Sequence, residues 1–229
     1  MTEFPISPKD KARGGTPIEG VVLIHGLGRS RVAMEVLARR LRSAGFTAES
    51  VGYRSRGLSL ARATAVVDRA VTGLARGWDV VHLVGHSLGG IIAAAIAAGR
   101  TDLPVGRVVV IGTPMRGSAL AGLLVRSAPL RALLGPVLAE LAESGGPAAA
   151  SPRIGAIAGT GGASFFGRGF GLAYPHDGKV SVRSAWSGAA HRAVVPVGHA
   201  MLPLSRRVAV LTAAFLSDGR FPADAARAA

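Results

Sequence analysis

The sequence predicts an α/β protein with a doubly wound, mostly parallel sheet of about six strands flanked by helices. Three observations carry this expectation. Short β-branched apolar runs alternate with longer amphipathic stretches along most of the chain. The 32 glycines and 13 prolines among 229 residues supply the many turns that such winding needs. Finally, Val80–Gly99, VVHLVGHSLGGIIAAAIAAG, runs from a strand pattern into a helix pattern across a single serine.

Taken in order, residues 1–18 are polar and Pro/Gly-rich and read as a flexible lead-in, followed by a single domain over 19–221 and a tail over 222–229. Val21–Ile24 is a buried strand that runs into His25-Gly26-Leu27-Gly28, a loop suited to the carboxyl edge of a parallel sheet. His25 itself reads as a packing residue. Ser30–Ala44 places Ala33, Leu37 and Leu41 at helical spacing, and Leu58–Ala75 does the same with Leu60, Val67, Val71 and Leu74. Thr47–Tyr53, Asp79–Val84, Gly106–Gly112 and Arg153–Ala158 are expected strands. Between the last two, residues 117–146 carry a series of leucines broken by Pro129 and Pro136, read as two short cap helices near the mouth of a site. Pro147–Pro152 reads as a linker.

Inside the central stretch, Gly85-His86-Ser87-Leu88-Gly89 spells G-x-S-x-G. A serine on a sharp strand-to-helix turn is a nucleophile elbow, and flanking glycines let the two arms approach. Three bland alternatives compete: chance occurrence of so short a pattern, a buried serine in an ordinary αβ unit, and a membrane span, since about 20 residues lack charge. A His-Ser pair and three glycines argue against the span.

A serine hydroxyl is a weak nucleophile until a base takes its proton, so an imidazole and an orienting carboxylate are expected downstream. His176, His191 and His199 follow Ser87. His199 ends the strand pattern Arg192–Gly198 and precedes the helix pattern Leu204–Leu216, which places it on the loop after the last strand. His176 reads as loop packing or substrate contact. Asp177, in HDGKVSV, is the expected acid, against the alternative of a turn aspartate capping local backbone. Asp102, Glu140, Glu143, Asp218 and Asp224 are poorer candidates by position.

The HGLG loop, GHSLGG and IGTPMRGS (Ile111–Ser118), in this order, resemble the α/β-hydrolase superfamily. The likeness is to compact serine lipases and esterases and to GPI-inositol-deacylase-like predicted hydrolases, and extends from about Val21 to Phe221. It implies a minimal α/β-hydrolase fold without the first antiparallel hairpin of larger members, because only 20 residues precede the HGLG strand. It further implies a triad of Ser87, Asp177 and His199, an oxyanion hole from the Leu27 and Leu88 amides, and no cofactor or metal.

The expected function is hydrolysis of acyl, lipid-like carboxylic esters through an acyl-enzyme. Thioesterase, acyltransferase or amidase chemistry on the same triad, or a catalytically idle binding module, are the alternatives. His86, Met115, Phe165, Phe166 and Phe170 are the expected substrate contacts, with Leu27, Leu88 and Leu172 adding apolar surface at the mouth.

The net charge of +14 comes from 24 arginines and only 3 lysines, scattered without a basic run. With few aromatic residues this gives no nucleic-acid platform; it reads as a solvated surface with weak attraction to anionic membrane lipids. Gly159-Thr160-Gly161-Gly162 lacks the G-x-G-x-x-G glycine at Ser164, and no P-loop lysine is present. Cysteine is absent. No transmembrane segment is expected, and with no apolar h-region at the N-terminus the expected location is cytoplasmic.

Overall fold

The computed structural model describes residues 17–143, 151–162 and 171–226. Six strands form one sheet in which every pairing is parallel: β1 (Glu19–Ile24), β2 (Thr47–Val51), β3 (Val80–His86), β4 (Val105–Ile111), β5 (Ser151–Gly159) and β6 (Ala189–Val195). Their order across the sheet is β2-β1-β3-β4-β5-β6. The winding reverses between β1 and β3, and ligands bind at the carboxyl ends beside such a reversal.

Both faces of the sheet are covered, so its central strands are apolar on successive residues rather than alternating. Val22 and Ile24 of β1, Leu83 of β3 and Val108 and Val110 of β4 face one side. There they meet α2 (Leu60–Ala75) and α3 (Leu88–Gly99). Val21 and Leu23, Val84, and Val109 and Ile111 face the opposite side and pack on α1 (Val32–Ser43).

The cap region forms three helices, α4 (Ala119–Leu124), α5 (Ala128–Leu134) and α6 (Val137–Glu143), where two were expected. The prolines explain the difference. Pro129 lies in the first turn of α5 and Pro136 immediately precedes α6, where a missing N–H costs nothing and the fixed φ favours a helix start. Ala121, Val137, Leu138 and Leu141 are buried, so these helices extend the core of the α2–α3 side. The expected linker is in part strand, since β5 begins at Ser151.

Two further helices follow, α7 (Val182–Ala185) and α8 (Arg206–Asp218), with a 3-10 helix over His199–Leu204 before α8. Phe215 of α8 is fully buried beneath β5 and stacks near Phe221 and His191. Residues 222–226 do not trail away: Ala225 is buried and its carbonyl accepts the Val194 N–H of edge strand β6. Among the described residues no helix is long and apolar enough to cross a membrane.

Phe215→Ala removes the largest fully buried side chain of the α8 side and leaves a cavity against Gly155, so unfolding in urea should show a loss of about 3–5 kcal/mol.

Candidate functional site

The register of the sheet brings distant segments to one rim. Ile24 of β1 pairs with Gly85 of β3, His86 pairs with Ile111 of β4, and Gly159 of β5 pairs with Val195 of β6. Each loop that follows carries an expected site residue or supports one.

Ser87, between β3 and α3, has φ 55° and ψ −122°, and is the only non-glycine with positive φ among the described residues. Such a conformation costs roughly 1–3 kcal/mol and persists only where its surroundings leave no alternative. Those surroundings are specific. The Ser87 N–H donates to the Ile111 carbonyl at 2.9 Å, and the Gly90 N–H to the Ser87 carbonyl at 2.9 Å. A Cβ on Gly85 would lie 2.2 Å from the Gly89 carbonyl oxygen, one on Gly89 2.2 Å from that of Ile24, and one on Gly90 2.0 Å from Thr113 Oγ1. Backbone therefore closes on the turn at Gly85 and Gly89, and the Thr113 side chain closes on it at Gly90. Ser87 is half-buried in a run of buried neighbours, and it lines a cleft.

On the β1 side, His25 is fully buried and stacks on Tyr53, with ring centres 4.4 Å apart. Its Nδ1–H donates to the Gly26 carbonyl, and the Tyr53 hydroxyl donates to the His25 carbonyl at 2.9 Å. The Gly28 N–H donates to Ser55 Oγ at 2.9 Å. These bonds hold the HGLG loop against the loop after β2. The amides of Leu27 and Leu88 have no hydrogen-bond partner among the described residues. The Leu88 amide opens α3, where unpaired N–H groups carry the positive end of the helix dipole.

Asp177 and His199 meet directly. The His199 Nδ1–H donates to Asp177 Oδ2 at 2.7 Å, and the His199 backbone N–H donates to the Asp177 carbonyl at 2.9 Å. The second carboxylate oxygen, Oδ1, accepts the Lys179 and Val180 N–H groups at 2.9 and 2.7 Å. Asp177 thus caps its own turn and orients the imidazole at once. Both side chains are buried. The pair packs on Gly112 at the end of β4, which has φ 53°; a Cβ there would come within 3.1 Å of Asp177 Oδ2 and 3.3 Å of His199 Nδ1. Gly112 escaped the sequence reading, although a glycine closing an apolar strand is a signal for close approach.

Three of the other candidate carboxylates are engaged elsewhere. Asp102 pairs with Arg100, Asp224 with Arg207, and Glu140 Oε2 accepts the Leu60 N–H at the start of α2. His191 packs on Phe215, and His176 is buried with its Nδ1 accepting the Gly178 N–H.

Ser87 and His199 line the same cleft, about 210 Å³, together with Leu27, His86 and Pro114. Leu120, Leu124, Leu134, Leu138 and Leu141 of α4–α6 form its apolar wall. A larger hollow of about 630 Å³ beside Tyr174 and Trp186 contains neither Ser87 nor His199. Met115 does not reach the cleft as expected: it is buried in the core, and Pro114 takes its place at the wall. The Leu88 side chain is likewise fully buried. Phe165, Phe166 and Phe170 lie outside the described residues.

His86 has a structural task. Its Nε2–H donates to the His199 carbonyl at 3.1 Å, tying the turn at Ser87 to the loop that carries the imidazole. Burial, aided by the nearby His199, holds its pKa well below 6.5. Burial also lowers the pKa values of His25 and His82.

No family model matches this sequence, and no curated protein matches it. Solved structures do. Mature lipase BlEst2 of Bacillus licheniformis aligns at TM-score 0.65 and 17% identity, over 89% of this chain and 92% of that one. A structure of the metagenome-derived lipolytic enzymes LipS and LipT aligns at 0.58 and 17%, over 88% and 94%. Phospholipase PlaB from Legionella pneumophila aligns at 0.55 and 16%, over 73% of this chain and 45% of that one. At these identities the likeness is one of fold.

His25, His82 and His86, whose pKa values burial lowers, set a pH dependence. A native imidazole titrating below its unfolded value of about 6.5 leaves the unfolded chain binding more protons as pH falls, so stability is lost below about 6.5. His86 contributes up to about 1.4 kcal/mol per pH unit there. Urea unfolding between pH 7 and 5 should show this slope, and His86→Gln should make it shallower.

Proposed function

From the α/β-hydrolase fold of this chain, we propose that it is a serine hydrolase of carboxylic esters, with Ser87 as nucleophile, His199 as general base and Asp177 as the acid that orients it. The observation that carries this reading is the 2.7 Å bond between His199 Nδ1 and Asp177 Oδ2, at the rim where the strained Ser87 enters the same cleft. With Nδ1 committed to the carboxylate, Nε2 is the nitrogen that takes a proton.

In the proposed reaction, Ser87 Oγ attacks the ester carbonyl while His199 Nε2 accepts its proton. Asp177 stabilises the imidazolium, and the backbone hydrogen bonds to Oδ1 keep the carboxylate from turning away. The turn at Ser87 acts as a nucleophile elbow, and the partnerless Leu27 and Leu88 amides are the donors to the oxyanion. His199 then protonates the departing alcohol, and water repeats the sequence on the acyl-enzyme. The leucine wall of α4–α6 suits an acyl chain, and lipases and esterases among proteins of this fold support ester hydrolysis in general.

A fluorophosphonate should label the native protein and fail to label Ser87→Ala; a native protein that resists labelling would leave a binding module in its place. Asp177→Asn should lower kcat on p-nitrophenyl esters by about 10⁴-fold while the circular dichroism spectrum is retained. A chain-length series from acetate to palmitate ranks the acyl preference, with rates rising with length if the leucine wall holds the chain.

A further inference from the structure

Beside the Ser87 cleft lies a second hollow, about 330 Å³, lined by Arg29, Arg54 and Arg56 together with Tyr53 and Leu133. Arg29 lines both hollows. The two are separated by α5, which presents Leu134 to the reaction cleft and Ala132 and Leu133 to the basic one. Lys179 adds a further cation on the reaction side.

What sets these guanidinium groups apart is that three of them line one concavity. Arg42, Arg100 and Arg207 are paired with Glu35, Asp68 and Asp224. Arg29, Arg54 and Arg56, like Arg39 and Arg220 elsewhere on the surface, form no side-chain hydrogen bond or ion pair among the described residues. Like charges gathered around one concavity repel one another unless an anion joins them. Their backbone supports are fixed: the Gly28 N–H donates to buried Ser55 Oγ between Arg54 and Arg56, and the Gly57 N–H donates to the Leu134 carbonyl of α5 at 3.2 Å. Arginine is suited to this role because its planar fork matches two phosphate oxygens at once.

We infer that the Arg29–Arg54–Arg56 hollow binds a phosphate group on the substrate, so that the ester cleaved at Ser87 belongs to a phosphate-bearing acyl ester whose chain lies along the leucine wall. This rests on the hydrolase reading given above. The phosphate belongs either to a phospholipid in a bilayer or to a soluble phosphorylated ester, and both present the same group to the three arginines.

The test compares monomeric dihexanoyl-phosphatidylglycerol with uncharged dihexanoylglycerol. The native protein should favour the former in kcat/KM, and Arg54→Gln/Arg56→Gln should reduce that preference by about tenfold or more, the worth of a charge-assisted hydrogen bond. Arg39→Gln/Arg220→Gln, exposed positions that line neither hollow, removes the same net charge and should keep the preference. Vesicles of dioleoyl-phosphatidylglycerol separate the sources: cleavage there as well as of the monomer identifies a membrane lipid, and cleavage of the monomer alone identifies a soluble ester. A native protein without preference, or one whose preference falls equally in both double variants, overturns the site in favour of bulk charge attraction. Calorimetric titration of glycerol 3-phosphate into Ser87→Ala reads the hollow without turnover: binding should be lost in the Arg54/Arg56 background and kept in the Arg39/Arg220 one. Binding without any ester turnover by the native protein would uphold the hollow and defeat the hydrolase reading; equal binding in both backgrounds would overturn the hollow.

Discussion

The approach of three backbones around Ser87 is the constraint on which the site depends. The carbonyls of Gly89 and Ile24 occupy the volumes where side chains on Gly85 and Gly89 would stand, and Thr113 fills the corresponding volume at Gly90. With β3, α3 and the end of β1 pressed together, the chain has no room to turn by a relaxed route, and Ser87 takes the positive φ that remains. The cost of that conformation is local. It is offset by burial of the parallel sheet on both faces, which fixes where the strand ends lie.

The opposite side of the cleft is held by economy of a different kind. Asp177 uses one oxygen to close its own turn and the other to hold the imidazole. Capping a turn and holding an imidazole looked like rival tasks for one side chain, and Asp177 makes both sets of hydrogen bonds. His86 joins the halves, because its ring sits on the Ser87 turn and its proton goes to the His199 carbonyl. Burial keeps this ring neutral, so it crosses the cleft floor as a hydrogen-bond donor without adding a second charge.

Much of this was legible in the amino-acid order. Buried parallel strands must be apolar on both faces, so runs such as Val21–Ile24 and Val108–Ile111 stand out from their surroundings. The spacing of Ser87, Asp177 and His199 around the strand pattern anticipated which loops carry them. What escaped depends on contacts between segments far apart in the chain. Pro129 and Pro136 looked like breaks because a helix start and a helix stop share the same residue. Met115 is apolar like its expected neighbours at the mouth, and only packing decides that it turns into the core. Arg29 and Arg56 are far apart in sequence, and the pairing of β1 with β2 makes their loops neighbours. On a surface that looked evenly solvated, three arginines are therefore gathered around one concavity.

The Ala225 carbonyl occupies a position on β6 that a neighbouring strand would otherwise claim. Edge strands with free amides are templates for recruiting foreign chains. By folding its last described residues back over Val194, this chain plugs its own template with an irregular segment too short to propagate pairing. The far edge, β2, carries Glu49 among its five residues, a charge that discourages stacking in an apolar seam. Six strands are thus where the ladder stops, terminated at one end by a doorstop and at the other by a charge.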